Sequence, residues 1–235
     1  MTPPVLEIEG LVKDYRALRP LRIQTLSMAA GETAAIVGID GAGAEVLVNL
    51  ITGAALPDAG EIRVFGRATS SIADAEEWLA IVDRFGIVSE RAVLLEQMTV
   101  LQNLAMPFTL DIEPPPPDVH AKASGLAAEA GISDVASRQR VGDLDPAGRV
   151  KVRLGRALAL QPSLVLLEHA TAGIASRDAV DIGAGIRRVA ARRGAAVLAV
   201  TADEPFAKAV ADRVLILEPA TGRLRERGFG KWFRG

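Results

Sequence analysis

The sequence predicts an α/β fold built on a mostly parallel sheet. Two observations carry this. Short runs that are apolar at every position, at 164–167, 196–200 and 214–217, alternate with helical patterns at about 177–193 and 204–211, as strands do when helices cover both faces of a parallel sheet. Another apolar run, 34–37, passes through a glycine-rich turn straight into a helix over 44–51 that is closed by Gly53, a residue suited to the left-handed position after a helix end.

The remaining elements follow in chain order. Residues 5–36 read as short strands with alternating apolar positions, and so does 61–66, where Ile62 and Val64 have polar neighbours. A second helix is expected over 73–82, and Gly86-Ile87-Val88 opens another strand. The run Glu113-Pro114-Pro115-Pro116-Pro117 reads as a stiff polyproline spacer outside any helix. Helices are expected over 118–130 and 146–160, the second with Pro146 in its first turn. The organisation is one domain: a core of about 1–89 and 156–228, a helical insertion at about 90–155, and a short tail, 229–235.

Composition narrows the function. A chain of 235 residues, 49% hydrophobic, is long enough for one α/β domain with a substantial core. Its mean hydropathy of +0.24 is high, yet the apolar runs are short and broken by charge, so none of about 18 residues reads as a membrane span. No basic-then-apolar segment reads as a signal peptide. The absence of cysteine excludes disulfides and thiolate-held metal. A net charge of −2 gives no support to a nucleic-acid partner.

The turn after residue 37 reads Gly38-Ile39-Asp40-Gly41-Ala42-Gly43-Ala44-Glu45. Its spacing is that of the phosphate-binding loop G-x-x-x-x-G-K-[ST], in which backbone N–H groups cradle phosphates, Lys reaches the β- and γ-phosphates, and Ser or Thr holds Mg²⁺. The bland alternative is a turn whose glycines only allow close packing. Here Ala44 stands at the lysine position and Glu45 at the hydroxyl position. Losing the lysine contact removes about 1.5–3 kcal/mol, and a carboxylate about 4 Å from phosphate adds repulsion of about 1–4 kcal/mol. A combined penalty of about 3–6 kcal/mol predicts binding weaker by roughly 10²- to 10⁴-fold.

Further segments resemble the ATP-binding subunit of ATP-binding-cassette (ABC) transporters, in that family's order and over about residues 5–228. They are Leu11-Val12-Lys13-Asp14-Tyr15, Leu50-Ile51-Thr52-Gly53, Pro57-Asp58-Ala59-Gly60-Glu61-Ile62, Thr99-Val100-Leu101-Gln102-Asn103-Leu104, Leu158-Ala159-Leu160-Gln161-Pro162 and Ala211-Asp212-Arg213-Val214. The resemblance implies a P-loop NTPase-like core with a mostly parallel sheet, a small antiparallel β subdomain and an inserted helical subdomain. It implies ATP with Mg²⁺ as cofactor, with a vestigial nucleotide site at Tyr15, Gly38, Gly41, Gly43, Ala44 and Glu45. Tyr15 stacks on adenine in that reading, or simply packs on the sheet.

The family's catalytic positions are changed throughout. Glu168 and His169 stand where it has the metal-supporting Asp and the water-polarising Glu, Ala202 replaces the switch His, and Glu90 replaces the loop Gln. The signature reads Leu144-Asp145-Pro146-Ala147-Gly148, and Ala175 takes the place of an Asp. The expectation is a catalytically degenerate subunit on the cytoplasmic face of the membrane, docked on an integral-membrane permease and dimerised with itself or another ABC subunit. Val93, Leu94, Leu95 and Met98 are candidate docking residues. Two rival readings are a working ATPase that uses Glu45, Glu168 and His169, and a soluble small-molecule sensor on the same fold. The aromatic-basic tail Gly228-Phe229-Gly230-Lys231-Trp232-Phe233-Arg234 is either a contact for a membrane or partner, or a terminus that folds back.

Overall fold

The computed structural model describes residues 3–72 and 74–226. The chain begins with β1 (Leu6–Lys13), β2 (Leu21–Met28) and β3 (Thr33–Val37), then runs through α1 (Gly41–Ile51), β4 (Ala59–Val64), β5 (Arg67–Ala68), α2 (Ala75–Val82) and β6 (Phe85–Ser89). Four helices follow: α3 (Val100–Ala105), α4 (Pro117–Glu129), α5 (Asp134–Ser137) and α6 (Pro146–Ala157). The chain continues with β7 (Leu164–Glu168), α7 (Ser176–Arg193), β8 (Ala196–Val200), α8 (Glu204–Val210), β9 (Arg213–Glu218) and β10 (Arg223–Glu226).

The strands form two sheets. One is antiparallel, in the order β2-β1-β4-β5, and the other has the order β10-β9-β3-β8-β7-β6. The second sheet is parallel apart from its edge strand β10. Strands β3, β7 and β8 are buried at every residue, and the period-two geometry of a strand divides their side chains between two cores. Ala35, Val37, Val165, Leu167, Val197 and Ala199 face a core shared with α3, α4, α6, α7 and α8. Ala34, Ile36, Leu164, Leu166, Ala196 and Leu198 face a core shared with α1 and the antiparallel sheet. The α/β class with a parallel sheet and a smaller antiparallel sheet is therefore as expected.

Several boundaries differ from expectation. Helix α1 begins at Gly41 because Asp40 caps it, three residues before the predicted start. Pro117 is not spacer but the first residue of α4, where a missing N–H costs nothing and the fixed φ suits a helix. Helix α6 stops at Ala157, with Leu158 as its cap, short of the predicted 160. Strand β10 was not anticipated, since Arg-Leu-Arg-Glu offers one apolar residue; it pairs only with β9, at the sheet edge. The tail 229–235 lies outside the described residues.

Candidate functional site

The site is assembled where β3, β6, β7 and β8 reach their C-terminal ends. Beyond β3 the chain turns at Gly38, whose φ of +96° lies in the region that glycine alone enters freely. The Asp40 carboxylate then accepts a 2.7 Å hydrogen bond from the Gly43 N–H and caps α1. That amide is one of the free donors at a helix start that an anion would otherwise take. The face of Gly43 is also crowded. A Cβ there would meet Ile39 Cγ2 at 2.8 Å, Asp40 Oδ1 at 3.0 Å and the Tyr15 hydroxyl at 3.3 Å, whereas at Gly41 nothing lies within 4 Å. Ala44 is fully buried in the core beneath the loop.

Tyr15 lies two residues beyond β1 and is half-buried, its hydroxyl against the glycine loop. Burial raises its phenol pKa, and the neighbouring Asp40 charge adds to the effect. Together with Leu18, Arg19, Gly38, Asp40 and Pro219 it lines a cleft of about 560 Å³.

The electrostatic centre of the site is Arg91, a residue that sequence reasoning missed. The parallel register pairs Ser89 on β6 with Glu168 on β7, and the Arg91 backbone N–H donates to Ser89 Oγ at 3.1 Å. From there the guanidinium reaches Glu168 with two hydrogen bonds, Nε to Oε1 at 3.1 Å and Nη2 to Oε2 at 2.5 Å. Its third nitrogen, Nη1, reaches Glu45 Oε1 at 3.3 Å. Glu168 is only 8% exposed, so its charge needs this forked, charge-assisted partner. The hydrogen bond to Glu168 raises the guanidinium pKa further. One cation thus holds both carboxylates that the sequence offers for a metal.

Two other predicted positions, His169 and Ala202, lie just past the ends of β7 and β8. His169 has φ +42°, and its Nε2 is buried without a hydrogen-bond partner in the described structure, so that nitrogen does not face solvent. Ala202, past the end of β8, presents an exposed methyl. Its neighbour Asp203 caps α8 through the Phe206 N–H at 3.0 Å and accepts from Thr171 Oγ1 at 3.3 Å. Asp145 caps α6 by accepting from the Gly148 N–H at 2.6 Å, with Pro146 in the first turn. The starts of α1, at the glycine loop, and of α6, at the altered signature, are therefore both capped by carboxylates of the chain itself.

Mg²⁺ with ATP does not fit this donor set. Position 44 brings no cation, Glu45 and Glu168 are already taken by Arg91, and the Gly43 N–H is already donated to Asp40. Among the described residues no group of three or more His, Cys, Asp or Glu side chains is placed to hold a metal.

The loop beyond Arg91 corrects one expectation. Leu94 is not a surface docking residue: it is 8% exposed and belongs to the core, whereas Val93 is 72% exposed and Leu95 38%. Asn103, wholly buried in α3, holds this loop by accepting from the Leu95 N–H at 2.9 Å and donating to the Leu95 carbonyl at 3.0 Å. Leu94→Glu is accordingly expected to bury a charge and unfold the protein at markedly lower temperature. Val93→Glu should stay within about 0.5 kcal/mol of the parent, and thermal melts of the two variants check the contrast.

Residues 21–172, more than half of the chain, match the family model described as ABC transporter. The chain belongs to the ABC transporter family. It is 32% identical over 226 residues to the lipoprotein-releasing system ATP-binding protein LolD of Chromohalobacter salexigens, covering 94% of this chain and 93% of that one. It is 28% identical over 225 residues to the methionine import ATP-binding protein MetN of Brucella abortus, 96% of this chain but only 60% of that relative's length. Among solved structures, cbiO1 from Clostridium perfringens, part of the ABC transporter complex cbiONQ, superposes with a TM-score of 0.78 at 18% identity, covering 95% of this chain and 87% of that one. The ATP-binding cassette MJ0796, in a dimeric post-hydrolysis state bound to ADP and Pi, superposes with a TM-score of 0.74 at 22% identity, covering 95% and 100%. At these identities the structures establish the shared P-loop NTPase fold.

Proposed function

We propose that this ABC transporter subunit does not hydrolyse ATP and serves its transport system in a regulatory or scaffolding role. The observation that carries the reading is the Glu45–Arg91–Glu168 ion cluster, which occupies the region where lysine and metal would act. Phosphoryl transfer depends on positioning and on electrostatic stabilisation of developing charge. This chain offers an alanine at 44, an acid at 45, an arginine-bound acid at 168 and a methyl at 202. A working site on Glu45, Glu168 and His169 is disfavoured, because the two acids are engaged and the His169 Nε2 is shielded. ATP with Mg²⁺ is accordingly a weak or absent ligand of the residues from Tyr15 to Glu45.

The partner in this reading is an integral-membrane permease, met on the cytoplasmic face through the helical insertion (about 90–155), with a second copy or another ABC subunit alongside. The roles of its relatives, lipoprotein release and methionine import, support a transport context. Among the described residues no helix is long and apolar enough to cross a membrane. Val93 and Leu95 are exposed apolar residues on a loop pinned by Arg153 to the Ala92 carbonyl at 3.3 Å and by Arg156 to the Val93 carbonyl at 2.5 Å. Val93→Glu should therefore reduce the membrane-bound fraction in the native host while the fold is kept; an unchanged fraction counts against this docking surface.

The decisive assay for the function is phosphate release from Mg-ATP by purified protein. No turnover above background is expected. Turnover that Glu168→Gln abolishes would refute the reading.

A further inference from the structure

We propose that Arg91 is a resident cation of the nucleotide site, taking the place of the divalent metal and fixing the segment 89–95 in one position whether or not nucleotide is present. The proposal takes the identity of the site from the reading above but does not depend on the absence of turnover.

Three observations converge on it. First, the guanidinium satisfies both oxygens of the buried Glu168 and touches Glu45, so one positive charge sits between two negative ones contributed by β7 and α1. A metal entering between the same carboxylates would meet a fixed like charge at contact distance, which is strongly unfavourable where water is partly excluded. Second, the substitutions are complementary in charge. Position 44 brings no positive charge and position 45 brings a negative one, and Arg91 returns a cation from the turn beyond β6. Third, the same residue begins a segment whose backbone is held at successive points: Ala92 by Arg153, Val93 by Arg156, and Leu95 by Asn103. These contacts come from α6 and α3, whereas the Arg91 side chain reaches Glu45 of α1 and adds to the backbone pairing of Ser89 with Glu168 of β7. The device links the loop that carries the exposed Val93 to the glycine-loop helix without a ligand between them.

The test compares wild type, Glu168→Gln, Arg91→Gln, and Arg91→Gln combined with Glu168→Gln, using Mn²⁺ as the metal probe, with and without ADP, by electron paramagnetic resonance. Amide hydrogen exchange of residues 89–95 provides a second readout. Wild type should bind no Mn²⁺ at this site. Arg91→Gln frees Glu45 and Glu168, and should bind Mn²⁺ at this site while exchange in 89–95 quickens roughly tenfold or more. The double variant carries no orphaned buried carboxylate, so it folds even where the single variant does not. It should keep the fast exchange and lose the Mn²⁺. Wild-type Mn²⁺ binding that Glu168→Gln removes would overturn the proposal, as would exchange in both Arg91 variants equal to wild type. Mn²⁺ binding by wild type without turnover refutes the resident cation and leaves the proposed function standing. Turnover without such binding does the reverse.

Discussion

Ala44→Lys combined with Glu45→Ser is expected to strengthen triphosphate binding by roughly 10²-fold, the lower end of the 10²- to 10⁴-fold that charge alone suggests. The gain has two sources, a restored lysine contact and the removal of a carboxylate that repels phosphate. The structure moderates it in two ways. Ala44 is fully buried, so a lysine stem must climb out of the core to bring its charge to the loop mouth. The Gly43 N–H also stays engaged with Asp40 at 2.7 Å. Fold should be preserved, since Arg91 keeps both of its bonds to Glu168 when Glu45 is gone. Hydrolysis should remain absent because Glu168, His169 and Ala202 are untouched. Calorimetry that shows no gain would mean that Ile39, Asp40 and Tyr15 close the Gly43 face to phosphate.

Asn103→Leu is expected to lower the unfolding midpoint by roughly 4–24 °C. The wholly buried amide serves both the N–H and the carbonyl of Leu95. An isosteric apolar side chain leaves both backbone groups without that partner, at about 1–3 kcal/mol each. For a domain of this size each kcal/mol moves the midpoint by about 2–4 °C. Asn103→Asp keeps the acceptor but aims a carboxylate oxygen at the Leu95 and Thr99 carbonyls in a wholly buried site, so it should destabilise at least as much as Asn103→Leu. A melt of Asn103→Leu within about 2 °C of wild type would mean that the loop is held without Asn103.

How far the sequence reveals this molecule depends on the range of the interactions concerned. Strands β7 and β8 were legible almost to the residue because a parallel strand buried on both faces reads as an unbroken apolar run. The glycine loop was legible because its backbone demands are local, visible in the left-handed Gly38 and the capping Asp40. Arg91 was not, since its partners are 46 and 77 residues away in the chain. The available signal was a mismatch of charge: two acids at metal-side positions and no lysine require a cation from elsewhere, and Arg91 adjoins the altered Glu90. Leu94 was misjudged for a related reason. In an irregular loop no period tells which of Val93, Leu94 and Leu95 turns inward, and only the packing against α3 decides it.

Mg-ATP is expected not to be a ligand of the glycine loop in this chain. Calorimetric titration of ATP into the unmodified protein, with and without Mg²⁺, tests it most directly. No saturable binding up to about 1 mM ATP is expected, and no difference between the two titrations. Micromolar binding that requires Mg²⁺ would contradict it.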